Sequence, residues 1–292
     1  MHTNLDRSKL HIALNGEFVT RKFSMELIEK VEIGKKIKYT ATGQEFTIAY
    51  KGVTDQGLHK YRLNVLRRFF INDRYNIIAQ PNKAQKIALQ VAKLNDTLDF
   101  EISRNFKLMG ITNGTEILNK WSALKPSLLK TYPDLQTVIS DFEWQLQDEN
   151  IQDIFKRDNF YTFFFSGIFY HDFEETPILK TDQMITNALP GIDIPVKLKK
   201  SVFKNDYLFN NASVVLKGTL DSDHPKYNAT RIQQFIDKTA APESQLQFEY
   251  YGLYQTKPRK GLVTEGSLSY SFEFPEYYKK TTTINFNLEN DE

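Results

Sequence analysis

Residues 158–173 read DNFYTFFFSGIFYHDF, the densest aromatic block of the chain. Between Phe160 and Tyr170 only Thr162, Ser166 and Gly167 interrupt the apolar run, so neither a helical nor a strand period stands out and the segment must be buried on several sides. Asp158 or Asn159 can accept from the free N–H groups of a first helical turn, and Gly167 can take the left-handed conformation that ends a helix. The block is therefore expected to be helical to about residue 166.

Just upstream, apolar residues recur at helical spacing: Ile117, Leu118, Trp121, Leu124 and Leu128, then Leu135, Val138, Ile139, Phe142 and Leu146, then Ile151, Ile154 and Phe155. Breaks at Tyr132-Pro133-Asp134 and at 148–150 divide 115–157 into about three helices, with Thr115 as a cap and Pro126 expected to kink or restart the first.

On both sides of this segment the pattern is β. Asn15-Gly16 between LHIAL and EFVT predicts a hairpin. Residues 35–53 and 59–71 predict a meander, with turns at Thr42-Gly43 and at 55–57; no element is assigned to 21–34. Ile87, Val91, Leu94 and Leu98 mark a short amphipathic helix, after which alternation resumes through 98–113. Residues 177–195, broken by Pro190-Gly191, read as a connecting loop with a short ordered piece. Strands return at 193–204 and 211–220, a helix at about 228–238, and period-2 alternation in Leu268, Tyr270, Phe272 and Phe274 and in Ile284, Phe286 and Leu288. Strands, a short helix and a hairpin thus occur twice in the same order, without a shared residue motif.

The fold class that follows is α+β: a predominantly antiparallel sheet, curved or a half-barrel, with a helical insertion around residues 115–170. We expect one large β-rich domain over 1–292; the alternative treats 1–110 and 177–292 as two sheet halves. The half-barrel carriers of bacterial lipoprotein traffic have a similar general shape, an analogy that no residue carries.

Composition narrows the function. The 38 basic and 36 acidic side chains leave a net charge of +2, so no global field favours nucleic acid. Basic residues interleaved with aromatics, at Lys35-Lys36-Lys38, Arg67-Arg68, Lys197-Lys199-Lys200 and Lys257-Arg259-Lys260, are also what the solvated face of a strand provides, and nucleic acid is disfavoured as a partner. Zero cysteines exclude disulfides and thiolate chemistry. No leader-like segment or membrane-length apolar run is present, so a cytoplasmic location is expected, or a periplasmic one had a leader been removed.

No phosphate loop, nucleophile elbow or His-x-x-x-His pattern occurs, and no cofactor is expected. Two acidic histidine clusters, His171-Asp172 with Glu174, and Asp221-Ser222-Asp223-His224, have the ligand types for a metal-assisted hydrolase if they converge. Each also suits a surface turn, which is the preferred reading. The favoured function is a non-enzymatic binding or structural protein, holding a protein partner or an apolar small molecule through a groove or aromatic patch. An adaptor subunit of a larger bacterial-type assembly, and so an oligomer, is the alternative within that class. The candidate surface is Trp121, Trp144, Phe160, Phe164, Phe169 and Tyr170, whose competing explanation is plain core.

Overall fold

The computed structural model describes residues 10–14, 19–206, 208–241 and 243–289. Its centre is a single curved antiparallel sheet of 11 strands flanked by helices. The strands are β1 (Thr20–Ile33), β2 (Lys36–Val53), β3 (His59–Ile71), β4 (Thr97–Ile102), β5 (Leu108–Ile111), β6 (Ile178–Leu189), β7 (Ile192–Asp206), β8 (Asn211–Leu220), β9 (Gln247–Lys257), β10 (Leu262–Phe274) and β11 (Tyr278–Leu288). The helices are α1 (Lys83–Ala92), α2 (Gly114–Thr131), α3 (Gln136–Gln145), α4 (Asp148–Arg157), α5 (Asn159–Phe164) and α6 (Ala229–Thr239).

The strand order β5-β4-β3-β2-β1-β11-β10-β9-β8-β7-β6 is that of a meander whose first and last strands pair. The sheet ends instead at β5 and β6, which are joined by the helical connection α2 to α5. The doubled element order is visible here: α1 follows β3 and α6 follows β8, and both halves run in the same sense across the sheet.

Alternation decides which side chains face inward. Cross-strand register places Met25, Phe286, Gly266, Tyr254, Val214 and Val202 in one row, and Phe23 lies opposite Phe46. Such rows of large apolar side chains need a cover, and α5 supplies it. Phe163 stacks on Tyr254 at 4.8 Å, Phe164 meets Phe23, Phe46 and Phe286 at 5.2, 5.5 and 5.0 Å, and Phe165 meets Phe100 at 5.1 Å. Edge-to-face geometry dominates these contacts, as the quadrupoles of the rings favour. Gly266 is what lets them close: a Cβ there would overlap the Phe286 ring and lie 3.0 Å from Phe163. The carbonyl of Phe163, near the C-terminal end of the helix, accepts from the Tyr254 hydroxyl at 2.7 Å.

The start of α5 is as expected, while its end falls at Phe164, short of the expected 166, with Phe165 as its cap and Gly167 beyond it. Asp158 is the cap, accepting from the Tyr161 N–H at 2.9 Å, and Gly167 has φ +62°. The helices before it are three, as predicted, but the first is capped at Asn113 rather than Thr115, residues 148–150 open α4 rather than form the break before it, and Pro126 sits inside α2 without dividing it.

Four other expectations need correction. Thr42-Gly43 is not a turn; β2 runs through it because Gly43, opposite Phe69, leaves room for that ring to lie over the strand. Residues 178–189 are not a loop but the edge strand β6, whose inward side is half polar and so lacks clear hydrophobic alternation. The unassigned stretch is mostly β1, an interior strand beside the middle of the sheet, whose run of Met25, Glu26, Leu27, Glu29 and Lys30 consists of good helix formers, a preference overridden by β2 and β11 pairing on either side. Residues 10–14 are not strand, and the Asn15-Gly16 turn lies outside the described residues.

Candidate functional site

Between the two free edges the sheet leaves a cleft of about 390 Å³, bounded by β5, β6, β7, the end of α4 and the 165–167 segment. Its width is set by how the helical connection holds the edges apart. Gln152 of α4 bonds the backbone of Ile111 on β5, and the Thr186 hydroxyl of β6 donates to the Arg157 carbonyl at 3.3 Å. Beyond α5, Gly167 N–H donates to Phe106 O at 2.9 Å and Phe169 N–H to Asn105 O at 3.2 Å, fastening the exit segment to the β4–β5 turn.

The walls mix apolar and basic groups. Leu108, Phe165, Met184 and Leu198 supply hydrocarbon, while Lys107, Lys156, Arg157 and Lys200 supply positive charge against Asp182. Arg157 is bonded to Asp153 at 2.9 Å. Lys200 differs from the others in being buried at 7% exposure. It continues the inward series Ile192, Ile194, Val196 and Leu198 of β7, and its ammonium donates to the Ser166 carbonyl at 2.5 Å. Burial, reinforced by the like charge of Lys107, lowers its pKa to about 8. The Ser166 hydroxyl, also buried, has no hydrogen-bond partner.

The residues singled out in the sequence lie elsewhere or deeper. Phe160, Phe164 and Phe169 are core; Trp121 is buried, its indole N–H donating to Glu143 at 3.0 Å, and Tyr170 is half-buried against His11 and Arg104. Trp144 is 60% exposed on α3. The aromatic block therefore presents little open surface; Phe164 and Phe169 border a small gap of about 40 Å³, and Phe160 lies at the floor of an open groove of about 250 Å³ beside α1.

The acidic histidine clusters are local turns. His171 Nε2 is 2.8 Å from the Thr176 carbonyl, and Asp172 accepts from the N–H groups of Glu174 and Glu175. Asp221 is buried and paired with Lys197 at 2.7 Å, while His224 Nδ1 accepts from Lys226 N–H and Asp223 lies in the same exposed turn. Among the described residues no three His, Asp or Glu side chains group as metal ligands would. No helix among them is long and apolar enough to cross a membrane.

Sequence reading missed Lys200 and Ser166 as site residues. The signal for Lys200 was present, because a period of 2 puts it on the face of Leu198, but its place in a basic run marked it as solvated.

No protein-family model and no curated protein matches the sequence. Among solved structures the chain is similar to lipovitellin, in a structure described as lipid–protein interactions in lipovitellin, with a TM-score of 0.51 and 10% identity over 94% of this chain and 26% of that one. The chain thus spans about a quarter of that protein's length. A second match, to DynF from the dynemicin biosynthesis pathway of Micromonospora chersina, has a TM-score of 0.21 at 5% identity, covering 97% of this chain and 91% of that one. The lipovitellin likeness is one of fold alone.

Proposed function

We propose that this chain is a binding protein that holds an apolar or amphiphilic small molecule in the cleft between β5 and β6. The observation that carries this reading is the opening itself. An 11-stranded meander whose terminal strands pair is left unclosed at one place, and there a cleft of about 390 Å³ has hydrocarbon on several sides. That size is within the range of about 300–1,000 Å³ usual for small-molecule sites. The lipovitellin structure, about a quarter of which this chain resembles in fold, is described as one of lipid–protein interactions, which supports the reading by analogy of architecture.

The test is saturable binding of Nile red, a neutral apolar dye, followed by its fluorescence. One site per chain is expected, abolished by Thr181→Trp, which fills the cleft from β6. Absence of saturable binding, or binding unaffected by that substitution, refutes the reading.

A second reading, docking of a protein partner, is favoured by the β7–β8 tip, where Phe203, Leu208 and Phe209 are 62%, 84% and 74% exposed. It predicts that Phe203→Ser with Phe209→Ser abolishes self-association or partner binding measured by sedimentation; an unchanged profile counts against it.

A further inference from the structure

Three charged residues are buried among those described, and two of them have an opposite charge beside them. Asp221 faces Lys197 at 2.7 Å, and Lys280 faces Glu29 at 3.1 Å while also donating to Asn187 O at 2.8 Å. Lys200 is the exception. Its ammonium has one acceptor, the Ser166 carbonyl; no carboxylate of the described residues pairs with it, Asp182 of the same cleft included, and Lys107 acts on it as a like charge. An ammonium carries three donors, and a buried cation without a counter-ion is strongly disfavoured unless it neutralises or something supplies the missing anion.

The surroundings say where that anion enters and what it is attached to. Lys200 lines the cleft together with Lys107 and with Ser166, so an ammonium with donors to spare and a buried, unpartnered hydroxyl belong to neighbouring residues of one cleft. Around them are Leu108, Phe165, Met184 and Leu198, which offer no hydrogen bonds but can cover a chain of methylenes. We infer that the ligand of the cleft is a long-chain carboxylate, its carboxyl oxygens accepting from Lys200 Nζ and the Ser166 hydroxyl and its alkyl chain lying on those apolar side chains. One desolvated ammonium matches a monoanion, and a carboxylate restores to Lys200 what Glu29 gives Lys280. The inference rests on the cleft being the ligand site.

The experiment compares dodecanoate with dodecan-1-ol, both below micellar concentration, as competitors of Nile red. Charge-assisted hydrogen bonds of about 1.5–3 kcal/mol correspond to a preference for the carboxylate of about tenfold or more. In Lys200→Met the two competitors should become equal, each compared with the Nile red affinity measured for that variant. Equal competition in the wild type, or a preference that survives in Lys200→Met, overturns the inference and leaves the cleft reading intact; failure of Nile red to bind the wild type removes the cleft reading itself. Should Lys200→Met not fold, ¹³C-lysine-labelled wild-type protein decides. Dodecanoate but not dodecan-1-ol should then shift the Lys200 Cε resonance, and no shift overturns the inference.

Discussion

The side chain of Gln152 bonds Ile111 as a neighbouring strand would: its Oε1 accepts from the Ile111 N–H at 3.0 Å and its Nε2 donates to the Ile111 carbonyl at 2.6 Å. One amide therefore occupies both backbone groups of an edge residue that would otherwise offer a template for pairing with another chain. The same contact anchors α4 to β5 and so sets one wall of the cleft.

Replacing Gln152 by Ala should lower stability by about 1–2 kcal/mol, the range for stranding partly buried polar groups. Urea denaturation measures the loss, and light scattering should show more self-association as the β5 edge is freed. Unchanged stability would mean that water replaces the amide without penalty.

Gly266→Ala should destabilise by about 1–3 kcal/mol through overpacking, because the new methyl overlaps Phe286 and crowds Phe163. Combining it with Phe286→Leu should recover part of the loss. A double-mutant cycle on denaturation midpoints gives the coupling, and strict additivity would show that the two sites do not share this space.

Asp158 caps α5 from enclosed surroundings, and burial pushes its carboxyl above the ordinary value of 3.8 despite the opposing hydrogen bonds from the Tyr161 and Phe160 N–H groups. A raised acid pKa means that the folded state holds its proton longer than the unfolded chain, so this group's contribution to stability falls as pH rises from 3.8 through the folded pKa and is then flat. Asp158→Asn keeps an oxygen acceptor without the charge. It should be more stable than wild type at pH 7, with the gap narrowing as acid is added; thermal melts across that range decide.

Lys200 titrates in the opposite region. Its folded pKa of about 8 lies below its ordinary 10.5, so between these values the unfolded chain binds more protons and stability rises with pH. The shift corresponds to about 3 kcal/mol over that window, with burial its main cause and the like charge of Lys107 the lesser one. Urea midpoints of the wild type should climb from pH 8 to 10.5 relative to Lys200→Met, and parallel curves would show that Lys200 is not desolvated.

The elements most legible in the sequence are those whose burial follows a local period. Ile117, Trp121 and Leu128 marked the inward stripe of α2, Tyr270, Phe272 and Phe274 that of β10, and Asp158 with Gly167 bracketed the aromatic segment. In each case the side chain's surroundings are chosen by residues two to four positions away, so the chain carries its own instructions there. The aromatic block likewise announced its burial, being too apolar on every side to face water.

What only the tertiary structure decided are the relationships between residues far apart in sequence. Nothing near Met25 indicates that it will lie opposite Phe286, and helix-forming neighbours disguised the strand that makes this pairing. Nor does anything near Ile178 show that β6 is an edge, or near Lys200 that no carboxylate of the described residues pairs with it. Partners of that kind depend on which strands meet after long loops close, and that closure leaves the Lys200 ammonium without a paired carboxylate.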